Sequence, residues 1–440
     1  DKIGLFSLTM IVVSLVIGMG IFGTPAKVAA ASGLPAVFFG AWLAGGLVAL
    51  CGALTYAEIG VRMPVIGAYY KVFSECYHPS VGFTVNALIL VSNAASLAVV
   101  ALIGADYVSD LLFGKPSGVF FNTGISIAAV TLFFFVNLSG LRTSSRTQNV
   151  LIVLKIGLVL LLIASVLKGV TVEPHGYDDG KVYLFKDNHW LKLFLVCMIP
   201  VCFTYGGYQQ TINFGSEVKS AKLLPKGIIA GIIIVIVLYL LINYAYTEVI
   251  GYDKMKSASA IGALLCEAWF GTRGAKVFDA LMFLSVLAYV NILLMSNPRV
   301  MYAMSVDKVL PKIFSYRSEK TGALVTGLVV FSLATVVVAF FGKKVDNILG
   351  FTMFLDSIGM STSAATLFFL RKKKYNQQMI TAGWNKITPV LAVIFVMAYF
   401  FIAVAVIIDK PYAAVTGVSL LSVLALIYFA FYHRTKNSFQ

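Results

Sequence analysis

Val16-Ile-Gly18-Met-Gly20-Ile-Phe-Gly23-Thr-Pro25 sits inside an apolar run too long for a loop, yet it carries three glycines within six positions. Glycine weakens a helix by about 1 kcal/mol relative to alanine. Three together predict that the backbone unwinds in the middle of the run. Unwound backbone at membrane depth is tolerated only where protein or a water-filled cavity satisfies its polar groups. The stretch is therefore a candidate binding site made of main chain.

Of the 440 residues, 59% are hydrophobic and 12% are charged. That is about half the charged share of a soluble protein. Apolar stretches of ~20 residues or more recur from end to end, the pattern of an all-α polytopic membrane protein. The first apolar run is long and has no small-residue cleavage site behind it, so a cleavable signal peptide is not expected. Cys51, Cys76, Cys197, Cys202 and Cys266 show no metal or redox spacing and read as packing residues. No metal and no cofactor are expected. The net charge of +15 reads as the positive-inside rule, not as affinity for nucleic acid.

Twelve transmembrane helices are expected, over 5–31, 36–60, 80–110, 118–139, 149–169, 190–214, 225–249, 275–304, 322–341, 346–370, 388–409 and 411–432. With the N-terminus placed in the cytoplasm, about 20 basic residues fall on that side against roughly 6 acidic ones. The outer side then holds about 13 of each sign. This asymmetry predicts an even number of spans with both termini cytoplasmic, in a plasma (inner) membrane. The run Arg371-Lys-Lys-Lys374 reads first as a stop-transfer anchor, with contact to anionic lipid as the alternative.

The sixth span is the second irregular one: Pro200-Val-Cys-Phe203-Thr204-Tyr-Gly206-Gly207-Tyr-Gln209. Two interrupted spans, five apart, are the mark of two five-helix inverted repeats with the site at the midplane between them. The repeats would be residues 1–170 and 190–370, followed by two further helices at 388–432. Close packing of glycine-rich helices is the competing explanation of either break alone.

Several stretches resemble one family. Ile17-Gly-Met-Gly-Ile-Phe22 resembles the Gly-Ser-Gly-Ile first-helix motif of the amino acid–polyamine–organocation superfamily. Phe203-Thr-Tyr-Gly-Gly-Tyr-Gln209 resembles the Phe-Ala-Tyr-Gly-Gly-Trp-Asn motif of its L-amino acid transporter branch. Ser216-Glu217-Val-Lys219, Asn297-Pro-Arg299 through Asp307, and Pro64-x-x-Gly67-Ala-Tyr69 resemble the loop signatures after helices six, eight and two. The likeness covers helices one to ten. It implies the LeuT-like fold with helices one and six broken, and a small-molecule amino acid as substrate.

A zwitterion in a low-dielectric site needs both charges met. A half-helix N-terminus suits a carboxylate, and free carbonyls at the other half's C-terminus suit an ammonium. By resemblance, the carboxylate meets the backbone around Met19, Gly20 and Ile21, and Gly18 counts among the substrate-binding residues. The ammonium meets carbonyls of Ile17, Phe203 and Thr204, with Gly206 as a further acceptor. Met19 replaces the family's serine, so a hydroxyl contact is lost and fine selectivity with it. Phe203 corresponds to the aromatic that closes over the substrate, and ordinary packing is its alternative. Tyr208 and Gln209 stand where the family has Trp and Asn, at the side-chain pocket. No residue of 203–209 is charged, which favours a neutral substrate.

Lys155 lies about seven residues into the fifth span, where a lysine costs a few kcal/mol on insertion scales. In sodium-independent relatives a lysine here stands near the first-helix break, in place of a sodium ion. Snorkelling to the nearer membrane face is the alternative. Whether Lys155 also carries a proton is left open at this stage. Asp356, in mid-span ten, is the other buried charge and has no partner readable from the sequence. Asn86, Asn93, Asp106, Ser285, Tyr289 and Asn291 read as helix-joining polar groups, with lining of the transport path as the alternative. Glu58 and Glu217 read as members of ion pairs at span ends.

An enzyme is disfavoured, because the four histidines share no ligand spacing and no nucleophile elbow appears. A channel is disfavoured by the lack of a filter-like repeat. The expectation is a sodium-independent transporter of neutral L-amino acids working by alternating access, with exchange (antiport) as its mode. Proton-coupled symport, a cationic amino acid or polyamine antiporter, and an amino acid sensor are the alternatives. The sequence assigns no accessory subunit.

Overall fold

A computed structural model describes residues 2–114, 118–168, 189–258, 261–341, 345–377, 382–409 and 411–437. In these residues the chain is helical, apart from short turns and two isolated β-bridges, Ile3 with Val218 and Ile66 with Phe214. The helices of the first half are α1 (Leu5–Val16), α2 (Gly20–Ser32), α3 (Pro35–Arg62), α4 (Ala68–Cys76), α5 (Pro79–Phe113), α6 (Val119–Leu138) and α7 (Leu141–Ile163). Those of the second half are α8 (His189–Thr204), α9 (Leu223–Ile250), α10 (Tyr252–Ser257), α11 (Ile261–Phe270), α12 (Gly274–Val306), α13 (Val325–Phe341), α14 (Val345–Lys372), α15 (Ala382–Asp409) and α16 (Pro411–Asn437).

Among the described residues, 8 helices are long and apolar enough to cross a membrane, or 9 if the bent pair α1–α2 is one span. They fall on the expected first to eighth and eleventh spans. Helices α13, α14 and α16 occupy the ranges of the ninth, tenth and twelfth. Three short helices, α4, α10 and α11, lie in segments read as loops. Helix α4 starts where Gly67 takes φ +65 and turns the chain back after α3. The long loop expected at 170–189 lies almost wholly outside the described residues.

The first span is broken where the glycines predicted. Helix α1 ends at Val16, Ile17 leaves the helix with ψ 88, and α2 starts at Gly20, bent by 43° from α1. Helix α3 packs along both α8 and α9. Its Gly52 makes room for Tyr208 and Phe395, where a Cβ would collide with the Tyr208 hydroxyl and the Phe395 ring. Small residues at such crossings let backbones approach, the main source of helix association where lipid is as apolar as leucine. Trp42, Tyr205 and Tyr239 form a buried aromatic cluster with centroids 5.0 to 5.9 Å apart. The cluster lies directly behind the two broken segments.

Candidate functional site

The sixth span breaks against the first. Helix α8 stops at Thr204, and Gly207 carries the chain out of the helical path at φ +109. A Cβ on Gly207 would collide with the Leu15 carbonyl, so both conformation and space demand glycine. The Gln209 side chain accepts from the Gly207 N–H at 2.9 Å. Beyond it, Tyr208–Asn213 and Gly215–Glu217 are 3-10 turns, not the α-helix expected to 214. Asn213 Nδ2 donates to Gln210 Oε1 at 2.7 Å and braces the tighter turn.

Thr204 touches the other break. Its hydroxyl donates to the Pro200 carbonyl at 2.7 Å, and a Cβ on Gly20 would lie 3.2 Å from its Cγ2. Tyr239 of α9 ties the two together, its hydroxyl 3.2 Å from the carbonyls of both Val16 and Thr204. One phenol carries one proton, so the two carbonyls share it. Tyr239 escaped the sequence reading, although a tyrosine in the middle of an aliphatic span signals a polar partner.

Lys155 is 1% exposed, and its ammonium donates to the Ile17 carbonyl. Among the described residues no carboxylate pairs with it. The cation therefore sits at the C-terminal end of α1, where the helix dipole favours positive charge. The ammonium acceptors expected from the sequence are largely in use: Ile17 by Lys155, Phe203 by the Gly206 N–H at 3.1 Å, and Thr204 by Tyr239. The donors opening α2 are the N–H groups of Gly20 and Ile21, beside Met19 as its N-cap, which no side chain caps. Gly18 N–H is turned back to Val16. Pro25 leaves the Ile21 carbonyl without its intrahelical donor.

Phe203 is 36% exposed and borders a narrow cavity that also meets Gly206, Gly207, Gln209, Asp356 and Tyr399. Tyr208 is fully buried against Tyr56, with ring centroids 6.0 Å apart. Tyr399 on α15 donates to the Cys202 carbonyl at 3.3 Å. A role for the eleventh span was not legible in its uniformly apolar sequence.

Four of the six polar groups read as helix-joining, Asn93, Asp106, Tyr289 and Asn291, bond across helices. Asn93 donates to Asn297 at 2.7 Å, and Ser96 pairs with Tyr289 at 3.0 Å. Asn291 donates to Gln148 at 2.5 Å and accepts from Asn137 at 2.9 Å. Asp106 accepts from Asn122. Among the described residues, Asn86 bonds only its own helix at Gly82, and the buried Ser285 hydroxyl has no partner.

At the end of the bundle carrying the N-terminus, the loop signatures meet. Glu217 pairs with Arg299 at 2.5 Å, and Arg299 lies 4.5 Å over the Phe214 ring. Gly67 donates to the Asn213 carbonyl at 3.0 Å, while a Cβ on it would lie 2.5 Å from the Arg299 carbonyl. Ile3 bonds Glu217 and Lys219 through the main chain at 2.7 and 3.0 Å. Lys71 pairs with Asp307. Glu58 is fully buried between Arg62 at 2.7 Å and Arg371 at 2.5 Å. Arg371 thus holds α14 to α3, a task beyond the stop-transfer reading.

Two broken spans that meet, with the buried Lys155 of α7 bonded to the first of them, mark a helical membrane protein. A family model for amino acid permeases matches residues 3–431, and the chain belongs to that family. It is similar to the serine/threonine exchanger SteT of Bacillus subtilis, 25% identical over 89% of this chain and 88% of that one. It is similar also to the human large neutral amino acids transporter small subunit 2, 24% identical over 97% of this chain and 80% of the relative. The human cystine/glutamate transporter is 25% identical over 84% and 74%.

Proposed function

We propose that the protein exchanges α-amino acids across the plasma membrane by alternating access and without sodium. Twelve spans arranged as two inverted five-helix repeats, with both termini cytoplasmic, complete the reading. The carboxylate is held by the N–H groups around Met19, Gly20 and Ile21 that open α2. The ammonium is held by carbonyls at Ile17, Phe203, Thr204 and Gly206, the first three using the lone pair left beside their present donors, and Phe203 closes over the substrate. The observation that carries this reading is the Lys155 ammonium donating to the Ile17 carbonyl. A fixed cation there does the work that a bound sodium ion would otherwise do. Membership in a permease family and likeness to a named exchanger support it.

The uncharged 203–209 stretch supports a neutral substrate. A second reading, a substrate with a cationic side chain, is favoured by Asp356, whose carboxylate faces the same stretch across a cavity. Proton coupling remains the rival to exchange. The site is tested with Gly20→Leu, which drives a side chain into Thr204, and with Phe203→Ala. Both are expected to lower labelled amino acid uptake into proteoliposomes at least ~10-fold, each 1.4 kcal/mol of lost binding being tenfold. Normal uptake by both folded variants would refute the assignment.

A further inference from the structure

Asp356 is the one acidic residue that the described spans ten and eleven bring to the break in span six. It lies on α14, eleven residues past the helix start at Val345. Protein surrounds it, yet part of its surface is open, because it faces the cavity bordered by Phe203, Gly206, Gly207, Gln209 and Tyr399. No described residue gives it a hydrogen bond or an ion pair. Every other acidic side chain mentioned above, at Glu58, Asp106, Glu217 and Asp307, has a partner. A carboxylate held at membrane depth without a partner is costly. A positive group entering the cavity would remove that cost.

The cavity belongs to α8, the 206–209 turn, α14 and α15. No residue of the first span borders it, so it is not the pocket between the two breaks where the α-amino and α-carboxyl groups would sit. It borders the break in span six from α14 and α15. Its volume is about 20 Å³. That admits a group of one heavy atom. A primary ammonium suits so small a space better than a planar guanidinium with three nitrogens.

We propose that Asp356 and this cavity form a subsite for a side-chain ammonium, so that the protein takes α,ω-diamino acids of the lysine and ornithine type. The inference rests on the reading of the breaks as an amino acid site. It shifts the substrate class from neutral to cationic, and it makes Asp356 a specificity-determining residue. The Gln209 amide and the Tyr399 phenol, at the same cavity, are the polar groups nearest at hand to complete the ammonium's shell.

Purified protein in detergent is heated with L-lysine, L-ornithine, L-arginine or L-alanine, and the shift in melting temperature is recorded. Counterflow of labelled lysine and alanine is then measured in proteoliposomes. The wild type should be stabilised more by lysine and ornithine than by arginine or alanine. Asp356→Asn should lower the ratio of lysine to alanine transport at least tenfold, and Asp356→Glu should recover part of it. Three outcomes would overturn the subsite: alanine stabilising and lysine not, an unchanged lysine-to-alanine ratio in a folded Asp356→Asn variant, or loss of selectivity for protons alone, seen as a changed pH profile at constant ratio. If Asp356→Asn does not fold, the wild-type ranking of lysine over arginine and alanine decides. Failure of the underlying site looks different: no amino acid shifts the melting temperature and none is transported.

Discussion

The two helix breaks and the ion-paired end of the bundle are built on opposite principles. At the Glu217–Arg299 and Glu58–Arg62–Arg371 clusters, each carboxylate meets its cation within 2.7 Å and the backbone locks around them. At the breaks, Lys155 has only a carbonyl and Asp356 has no described partner. Paired charges in a buried setting hold a geometry; unpaired ones wait for something to bind. On the proposed reading, the first region holds the fold and the second recognises the ligand.

The largest effect is expected where both roles meet. Gly207→Val forces a side chain onto the Leu15 carbonyl and a β-branched residue into φ +109. Strain of this kind costs about 1–3 kcal/mol before the collision is counted. Folded protein should be lost, read as the disappearance of a monodisperse peak in size-exclusion chromatography. A monodisperse, active variant would mean that the breaks do not touch.

Next in size, Arg299→Ala strands Glu217. Removing one partner of a buried pair costs about 3–5 kcal/mol, and because Glu217 is not fully buried the lower end applies. The melting temperature should fall by several degrees, with substrate affinity little changed in whatever remains folded. Lys155→Met should do the reverse. It removes a costly membrane charge, so stability holds or rises, while sodium-independent exchange drops to background. Equal losses of stability in both variants would dissolve the distinction between the regions.

Tyr239→Phe removes the hydroxyl shared by Val16 and Thr204. A hydrogen bond contributes about 1 kcal/mol net, so uptake should fall roughly fivefold. At the small end, Asp253→Asn breaks an exposed pair with Lys256 at 2.6 Å. Exposed pairs contribute next to nothing, and no shift in melting temperature is expected.

The helical class and both breaks were readable because glycine acts locally: Gly18, Gly20, Gly206 and Gly207 weaken the helix wherever they stand. Lys155 was readable because a charge among leucines has few explanations. The cavity at Asp356 was not, since it needs α14, α15 and the 206–209 turn to meet in space. The same holds for Tyr239 and Tyr399, whose partners are carbonyls, and carbonyls leave no trace in a sequence. The 3-10 turns after Gly207 were missed because residues 208–213 carry no breaker of their own. Their geometry comes from contacts with Asn213 and the Gly67 loop.

The most direct measurement is alanine counterflow in proteoliposomes, loaded with unlabelled alanine or empty, with sodium present or replaced by choline. Lys155 standing in for a sodium ion predicts labelled uptake into loaded vesicles only, at the same rate with and without sodium. A strict sodium requirement would contradict it.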